Sequence, residues 1–359
     1  MISVAPGTSK SWLTGRTAGR IGVDVGTRML KFAQCRLTFG IWKVTAVHVL
    51  PVAANQLADA AGLSRGLVGE SIAGLKLQSM GFKGTSAITA LSSAVVTPRL
   101  LDLPDGDDDD LAEMVREESD APATSNVDFW RTRPVQRGKN HMAHVNAVVL
   151  PEQPAEGCVV GLEQAGLCCD AISVQSIAMA RAVELMAPGD QPVAAIDWGA
   201  TSPLICICRN GQAEYSRVLR NCGLKSAVDA ISADLGISEL EVAQLLVSFG
   251  IDSSRNGGGV VGARIDALLA EHVQRFQQEV TRTIEFIQQN QPDSVPEWLC
   301  LFGGGGTIAG IAPHLTEHLR IETRSWELEP GQLDSRIRSL EFQSLFGVAV
   351  GLSTLEADV

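Results

Sequence analysis

One arrangement of strands and turns occurs twice in this chain, first near residue 21 and again near residue 193. The first copy reads IGVDV, a glycine turn, LKFAQC and WKVTAVHVL; the second reads VAAID, a glycine turn, PLICIC and AEYSRVL. Asp24 precedes Gly40 by 16 positions, and Asp197 precedes Gly211 by 14, so the turns are spaced almost equally. This spacing indicates a duplicated domain-sized unit with sequential strands, and it excludes a short-period solenoid.

The composition excludes several classes of protein. A chain of 359 residues with 45% hydrophobic residues predicts two to three domain-sized units with substantial cores. The net charge of −12 argues against nucleic acid as a partner, because a basic surface supplies most of the affinity for a phosphate backbone. No run approaches the ~18 apolar residues of a membrane span, and residues 1–20 lack the apolar region of a signal peptide. We therefore expect a cytoplasmic protein without a membrane span of its own.

Metal and disulfide frameworks are not indicated. The eight cysteines include no CxxC pair and lie mostly in apolar stretches, so we expect buried reduced thiols. The acidic run at 107–110 fits the first turn of a helix better than a calcium loop. His141 and His144 have the spacing of helical metal ligands, but their stretch reads as a strand, where that spacing separates them.

Between the two copies, the chain has its own strands and helices. Residues 1–19 are rich in Ser, Thr and Gly and are expected to be a disordered basic tail. A helix over 65–80 that ends at Gly81 and the strand SAITAL complete the first unit. LLDLPDGDDDDLAEMVREES, VDFWRTRPV, HMAHVNAVVL, a helix at 152–165 and CCDAISV then predict an inserted α+β module at 98–170.

The chain after the second copy is predicted to be mostly helical. Helices are expected at 224–235, at 239–249 and at 264–289, the second of them with a Ser-x-x-Glu capping box. The chain then returns to the strand WLCLF, which leads into four consecutive glycines. It continues with a predicted helix from residue 307 (TIAGIAPHLTEHL), a strand (RIETRSW) and a final apolar stretch (FQSLFGVAVGL).

Three glycine turns, at 24–27, at 197–201 and at 303–306, together point to a phosphate site. Each alone is weak, since Asp-x-Gly after a strand is usually a hairpin and a glycine run is usually a left-handed turn. Two symmetric loops, however, can direct backbone N–H groups at a row of phosphates, while a glycine run lets a nucleoside approach the backbone. Asp24 and Asp197 would repel phosphates unless a Mg²⁺ ion with its water shell lies between them.

At this point the chain resembles the type IV pilus assembly protein PilM family, in the superfamily of actin, Hsp70, sugar kinases and FtsA. IGVDVGTRMLKFAQC resembles the first phosphate loop, AAIDWGATSPLICICRNGQAEYSRVL the second, and LFGGGGTIAGIAPHL the adenosine motif. VVTPRLLDLPDGDDDDLAEMVREES is similar to the start of the inserted 1C subdomain, SVQSIAMARAVEL to the helix that follows, and FGVAVGL to the C-terminal end. All six occur in order over about 20–355.

The resemblance implies an α/β, actin-like (ribonuclease H-like) fold with duplicated domains and an inserted α+β 1C subdomain. The implied divisions are subdomain 1A at 20–97, 171–192 and 341–359; 1C at 98–170; 2A at 193–225 and 298–340; and helical 2B at 226–297.

The resemblance also implies a set of site residues. Asp24 and Asp197 would organise Mg²⁺ through water, and ATP would be contacted by Gly26, Thr27, Lys31, Gly199, Ala200, Gly303, Gly304 and Gly305. Lys31 matches a phosphate-facing lysine, with an exposed strand lysine as the alternative. Gln175 occupies the position that orients the attacking water, with a buried or capping glutamine as the alternative.

Some positions depart from the family pattern. The AE-x-x-K pattern that contacts ribose and adenine is replaced by EVAQLLVSFG, which counts against nucleotide affinity. Pro203 replaces a hydroxyl residue, and Trp198 is bulkier than the usual Ile. Arg28 stands where Ser or Gly is common, and it would either help to bind phosphate or occupy the pocket itself.

The implied function is a cytoplasmic actin-like scaffold of a type IV pilus or a related secretion machine. Its implied partner is the cytoplasmic N-terminus of a PilN-like inner-membrane protein, bound in a groove between the first actin-like subdomain and the insert; self-association is left open. The alternative is an active phosphotransferase on the same fold. That alternative needs a substrate-side Asp as general base, for which the sequence offers no convincing candidate.

Overall fold

The computed structural model describes residues 18–52, 72, 74–93, 95–96, 98–122, 124–132, 142–251, 257–337 and 340–355. The strands of the described residues are β1 (Ala18–Val25), β2 (Met29–Thr38), β3 (Ile41–Pro51), β4 (Ser86–Leu91), β5 (Arg99–Pro104), β6 (Asn126–Arg131), β7 (Met142–Leu150), β8 (Cys168–Val174), β9 (Val193–Asp197), β10 (Leu204–Arg209), β11 (Gln212–Val218), β12 (Trp298–Phe302) and β13 (Glu322–Ser325). The α-helices of the same residues are α1 (Asp108–Glu118), α2 (Glu152–Gln164), α3 (Gln175–Met186), α4 (Lys225–Leu235), α5 (Glu239–Ser248), α6 (Gly259–Asn290), α7 (Ile311–Leu319) and α8 (Gly347–Ser353).

Two five-stranded sheets share one topology. The first has the order β3-β2-β1-β4-β8, and the second has the order β11-β10-β9-β12-β13. In the first sheet, β1 runs antiparallel to β2 and parallel to β4. In the second sheet, β9 runs antiparallel to β10 and parallel to β12. The predicted duplication and the α/β class are therefore confirmed by the order and direction of the strands.

Helices α3 and α8 lie between the sheets and join the two halves through one apolar core. This core contains Ala33 of the first sheet, Ala195 of the second, Met179 of α3 and Ala349 of α8, all fully buried. A Cβ on Gly22 would lie 2.0 Å from the carbonyl oxygen of Ala349, so this strand requires glycine to let the helix approach. The close packing holds the ends of β1 and β9 near each other.

The other face of the second sheet packs against α4, α6 and α7. Residues of β9, β10 and β12 form a second core with Ile231, Phe276 and Leu315 of these helices. Central strands covered on both faces need apolar side chains throughout, which explains the continuous buried runs VAAID and WLCLF.

The insert is smaller than the sequence predicted. Its own three-stranded sheet has the order β5-β7-β6 and packs against α1 through a small core around Leu111 and Val115. Helix α2 instead packs Ala155 and Leu162 into the core of the first sheet, and β8 pairs with β4 in that sheet. The C-terminal part of the module predicted at 98–170 thus belongs to the first sheet, because the apolar face of α2 is buried there.

Other local predictions have mixed outcomes. The capping box before α5 is confirmed, since Glu241 N donates to the Ser238 hydroxyl and the Glu241 carboxylate accepts from the Ser238 N–H. Helix α6 begins at Gly259, earlier than 264, whereas the helix expected from residue 307 begins only at Ile311 because Gly310 is left-handed. Strand β1 begins at Ala18, inside the predicted tail, whose residues 1–17 lie outside the described residues.

The described residues cover only part of the helix predicted at 65–80, and they also test the predictions on the cysteines and on membrane spans. Of the helix expected at 65–80, residues 65–71 and 73 are not described, and Leu77–Met80 is a 3₁₀ turn that ends at left-handed Gly81. Cys168 is exposed, against the expectation of buried thiols, while six other cysteines are buried. No described helix, not even the 32-residue α6, combines the length and apolar character needed to cross a bilayer.

Candidate functional site

The two Asp-x-Gly turns meet between the two sheets, and we call the space around these turns the cleft. Asp24 lies near the end of β1, and Asp197 is the last residue of β9. The loops that follow these strands touch, since the hydroxyl oxygens of Thr27 and Thr201 are 3.3 Å apart. The duplicated strands thereby bring together two sequence motifs that are more than 170 residues apart.

Lys31 lies beneath this contact. It pairs with Asp24 across the β1–β2 ladder, and its Nζ donates a hydrogen bond to Asp24 Oδ2. Lys31 is only 8% exposed, so the alternative of an exposed strand lysine is wrong. Burial acts to lower the pKa of Lys31, but the charges of Asp24 and Asp197 outweigh it and raise the pKa above its ordinary value. The lysine is therefore a charged group at the bottom of the cleft.

The two carboxylates are both buried and incompletely satisfied. Oδ1 of Asp24 and Oδ1 of Asp197 each have no hydrogen-bond partner among the described residues. Burial raises the pKa of Asp197 to about 6, with the charge of Asp24 adding to this effect and that of Lys31 opposing it. Two carboxylates around one lysine leave an excess of negative charge, which favours the approach of a cation.

The donor set fits Mg²⁺ only in company with a ligand. Among the described residues there is no cluster of three or more His, Cys, Asp and Glu side chains that could hold a metal ion by itself. Mg²⁺ commonly binds through one or two carboxylates, several waters and substrate phosphates. The unpartnered oxygens of Asp24 and Asp197 are suited to that mode, in which the ion arrives with a polyphosphate.

Gln175 stands beside Asp197 as the first residue of α3. Its Nε2 donates to Asp197 Oδ2 at 3.2 Å, and its Oε1 accepts from the backbone N–H of Ser93 at 2.7 Å. A glutamine amide has a second N–H and a second lone pair, so one further donor and acceptor remain at this position. Gln175 is thus a buried residue at the cleft that still has capacity for another polar contact.

Two of the predicted nucleotide-contacting glycines are required by internal packing. A Cβ on Gly303 would lie 2.3 Å from Asp197 Oδ1, and Gly303 has φ 73° and ψ −166°, which is not the ordinary left-handed turn. The N–H of Gly305 donates to the Trp198 carbonyl at 2.9 Å, and its Cβ position lies 2.5 Å from Trp198 Cβ. The glycine run therefore packs directly on the second Asp-x-Gly loop.

Other loop positions leave space for a ligand. Apart from the adjacent residues, no atom of the described part of the chain lies within 4 Å of a Cβ built on Gly199, and the nearest such atom to that of Gly304 is at an ordinary 3.6 Å. The carbonyls of Gly199 and Ala200 accept from the start of α4, at 3.1 and 2.9 Å. Within the described residues, the backbone N–H groups of Thr27, Gly199 and Ala200 donate to no protein atom. Such N–H groups can bind phosphate oxygens.

Arg28 spans the mouth of the cleft. Its Nη2 lies 2.7 Å from Glu239 Oε2, at the first residue of α5, so the arginine is held by an ion pair between the two halves. Sequence reasoning missed Glu239, whose only signal is its position in the acidic first turn of α5. Trp198 is fully buried, stacks on Phe276 with ring centroids 3.7 Å apart and thus adds its bulk to the second core.

Comparisons with known proteins agree with this architecture. A family model described as type IV pilus assembly protein PilM matches residues 22–353. The solved structure of a PilM-PilN type IV pilus biogenesis complex is similar with a TM-score of 0.73 at 21% identity, covering 93% of this chain and 97% of that chain.

Two other solved structures are similar at lower scores. They are ethanolamine utilization protein EutJ from Carboxydothermus hydrogenoformans (TM-score 0.48, 15% identity, 98% of this chain and 92% of that chain) and MreB 5 of Spiroplasma citri bound to AMPPNP (0.47, 12%, 94% and 95%). The duplicated sheet order and the similarity to the pilus complex confirm the predicted actin-like fold. Since the family model covers nearly all of the sequence, the chain belongs to the type IV pilus assembly protein PilM family.

Proposed function

We propose that this chain is a cytoplasmic actin-like scaffold of a type IV pilus or related secretion machine, with two ligands. The first is ATP with Mg²⁺, in the cleft between the sheets. The second is the cytoplasmic N-terminus of a PilN-like inner-membrane protein, which would place the scaffold at the membrane. The observation that supports the nucleotide site is the pair of buried aspartates, each with one unpartnered oxygen, around Lys31.

In this proposal each part of the cleft has a physical task. The N–H groups of Thr27, Gly199 and Ala200 would bind phosphate oxygens, and Lys31 would contribute positive charge beneath them. The open side of Gly304 would admit the nucleoside. Asp24 and Asp197 would hold Mg²⁺ through its water shell, and the ion when bound would neutralise phosphate charge.

The cleft is better suited to binding than to rapid turnover. Phosphoryl transfer to water needs a group that positions the water, and the candidate, Gln175, keeps only one donor and one acceptor beyond its bonds to Asp197 and Ser93. We therefore expect slow hydrolysis or none. A turnover above about 1 s⁻¹, in the usual range of enzymes, would support the phosphotransferase alternative instead.

Calorimetry with the full chain tests the nucleotide site. We expect ATP to bind in the presence of Mg²⁺ and to bind much more weakly with EDTA, and Asp24→Asn to abolish the Mg²⁺-dependent part. Glu271→Gln, which removes an exposed carboxylate of α6 that pairs with Arg275, is the matched control and should bind as wild type does. Equal affinity with and without Mg²⁺, or none for wild type at millimolar ATP, would contradict the proposed site.

Family membership supports the partner, because the similar solved structure is a complex of PilM with PilN. The groove between the first actin-like subdomain and the insert stays a proposal. Deleting residues 98–170 would not test it, since that deletion removes Leu162 from the first core and the start of β8 from the first sheet.

Photo-crosslinking leaves the fold intact and is therefore the better experiment. A peptide carrying a benzophenone group is incubated with the full chain. Its sequence is the N-terminal cytoplasmic segment of the PilN-like membrane protein that is encoded next to this chain. We expect crosslinks to the first sheet and to residues 98–132 of the insert. Crosslinks confined to the second half of the molecule would contradict this location. If the peptide does not bind at all, the proposed PilN-like partner is wrong.

A further inference from the structure

A separate cavity of about 1190 Å³ lies between the insert and the second half of the molecule. Its walls are residues 98–102 at β5, residues 215–218 of β11 and the C-terminal part of α6. None of the cleft residues Asp24, Lys31 and Asp197 lines it. Pockets for small ligands usually have about 300–1,000 Å³, so this space suits a segment of polypeptide better.

Both facing strands are at the edges of their sheets. β5 is the outer strand of the insert sheet, and β11 is the outer strand of the second sheet. Pro98 and Pro104 bound the edge of β5, and proline at an edge discourages the pairing of a further strand. β11 contains no proline, so its edge is the more suitable one for an added strand.

The insert covers only the beginning of the β11 edge. Trp130 Nε1 donates to the Ala213 carbonyl at 2.8 Å, and Asn146 Nδ2 donates to the Ala213 and Glu214 carbonyls at 3.1 Å. Beyond this point, and within the described part of the chain, residues 215–218 have a hydrogen-bonded strand on the β10 side only. The uncovered length of edge is the part that faces the cavity.

An unsatisfied polar atom lies at the same place. Ser216 is only 8% exposed, it lines the cavity, and its Oγ has no partner among the described residues. A buried hydroxyl without a hydrogen bond is destabilising unless something supplies a partner. A backbone that pairs along β11 brings donors and acceptors to this position.

Most charged groups of the cavity wall contact one another. Glu279 accepts from Arg217 at 2.7 Å and from Arg282 at 2.5 Å, and Asp102 lies 2.5 Å from the ring of His144. These contacts account for both of those acidic residues.

Two arginines on opposite walls of the cavity take no part in these contacts. Arg99 on β5 and Arg220 beyond β11 line the cavity, are exposed and have no acidic partner in the described part of the chain. Glu118 also lines the wall and has no cationic partner among the described residues, so it offsets one of the two arginines. An excess of positive charge here, in a chain of net charge −12, favours an occupant with acidic side chains.

We infer that this cavity is a second docking groove, in which an extended acidic segment of a partner protein adds as a strand to the edge of β11. The backbone of the segment pairs with residues 215–218, and its acidic side chains meet Arg99 and Arg220. Apolar side chains on the alternate positions rest on Tyr215 and Phe286, whose ring centroids are 5.6 Å apart. The groove differs in place and in chemistry from the site proposed for the PilN-like peptide.

The test uses the full chain and two fluorescein-labelled eight-residue peptides. One peptide alternates valine with glutamate, and its twin alternates valine with lysine. We expect the acidic peptide to bind at low salt at least tenfold more tightly than its twin, as measured by fluorescence anisotropy. Hydrogen exchange should slow at the amides of residues 215–218 when the acidic peptide is added.

Matched variants decide whether the groove is responsible. Arg99→Glu combined with Arg220→Glu should weaken binding of the acidic peptide about tenfold or more. Arg264→Glu combined with Arg275→Glu, with the same change of charge on α6 but outside the cavity wall, should have little effect. Equal binding of the twin, no binding of either peptide at millimolar concentration, or protection elsewhere would overturn the inference.

Two further outcomes identify a different occupant. If the PilN-like peptide competes with the acidic probe and crosslinks to residues 215–220, the cavity is the site of that partner and the inference of a second groove is overturned. If sedimentation shows dimers that the double Arg variant abolishes, a second copy of the chain is the occupant, and the inference is overturned as well. Mg²⁺-ATP binding is measured on the same variant and should stay unchanged, which separates this test from that of the nucleotide site.

Discussion

Replacing Lys31 with methionine removes the positive charge that lies between two buried carboxylates. Methionine has a similar length and no polar group, so the change acts on charge more than on volume. In wild type, Lys31 bonds Asp24 and lies near enough to Asp197 for each carboxylate to raise its pKa. Without the lysine, both carboxylates face each other in a buried site with no cation.

The expected loss of stability follows from the burial of the pair. Asp24 is 0% exposed and Lys31 is 8% exposed, which places them in the class of buried ion pairs. Removing one partner of such a pair costs about 3–5 kcal/mol, because the other charge is left uncompensated. For a cooperative unit of about 150–250 residues, each kcal/mol lowers Tm by about 2–4 °C, so we expect a decrease of about 6–20 °C.

Thermal unfolding followed by circular dichroism, in EDTA and without nucleotide, measures this loss. Lys225→Met, which breaks the exposed pair of Lys225 with Asp229, is the control and should change stability by less than about 1 kcal/mol. Adding Asp24→Asn to Lys31→Met should restore part of the stability, with a coupling of about 1–3 kcal/mol. A Tm within 2 °C of wild type for Lys31→Met, or strictly additive effects in the double variant, would refute the reasoning about a charged, buried lysine.

Three further predictions concern the surroundings of the cleft. Gly303→Ala should destabilise by more than about 2 kcal/mol in urea unfolding, since φ is 73° and the new Cβ would clash with a buried carboxylate, whereas Gly199→Ala, with nothing within 4 Å, should have little effect. Burial lowers the pKa of His272, so the unfolded chain takes up a proton that the folded chain refuses, and stability falls as the pH drops through about 6.5. His272→Gln should therefore lose less stability than wild type between pH 8 and pH 5. Glu239→Gln should increase and Arg28→Ala should decrease the affinity for Mg²⁺-ATP in calorimetry, because the first change releases the arginine towards phosphate.

Local sequence patterns were sufficient for the duplicated fold because the relevant forces act over a few residues. Strand VAAID and its partner PLICIC are continuous apolar runs, and only a strand buried on both faces requires such a pattern. The capping box at Ser238 and Glu241 is likewise complete within four residues. The equal order of these elements in both halves then fixed the topology.

The boundary of the insert was not predictable in the same way. Helix α2 follows directly on β7 in sequence, and its amphipathic pattern shows that one face is buried without showing against which sheet. Its residues Ala155 and Leu162 pack on the first sheet, and this choice depends on tertiary contacts that the local sequence does not show. The cavity beside β11 and the pair of Arg28 with Glu239 depend on the same kind of long-range packing.

The cleft also shows why matching motifs do not determine affinity. Three groups that could serve a nucleotide are already engaged within the protein: Lys31 bonds Asp24, the Thr27 hydroxyl contacts that of Thr201, and Arg28 is paired with Glu239. A ligand has to replace these contacts, and only the excess of its interactions over theirs appears as binding free energy. Substitutions that weaken the internal contacts can therefore strengthen binding without adding any contact to the nucleotide. Affinity in this cleft is set by that difference, which the Asp-x-Gly loops and the glycine run do not determine by themselves.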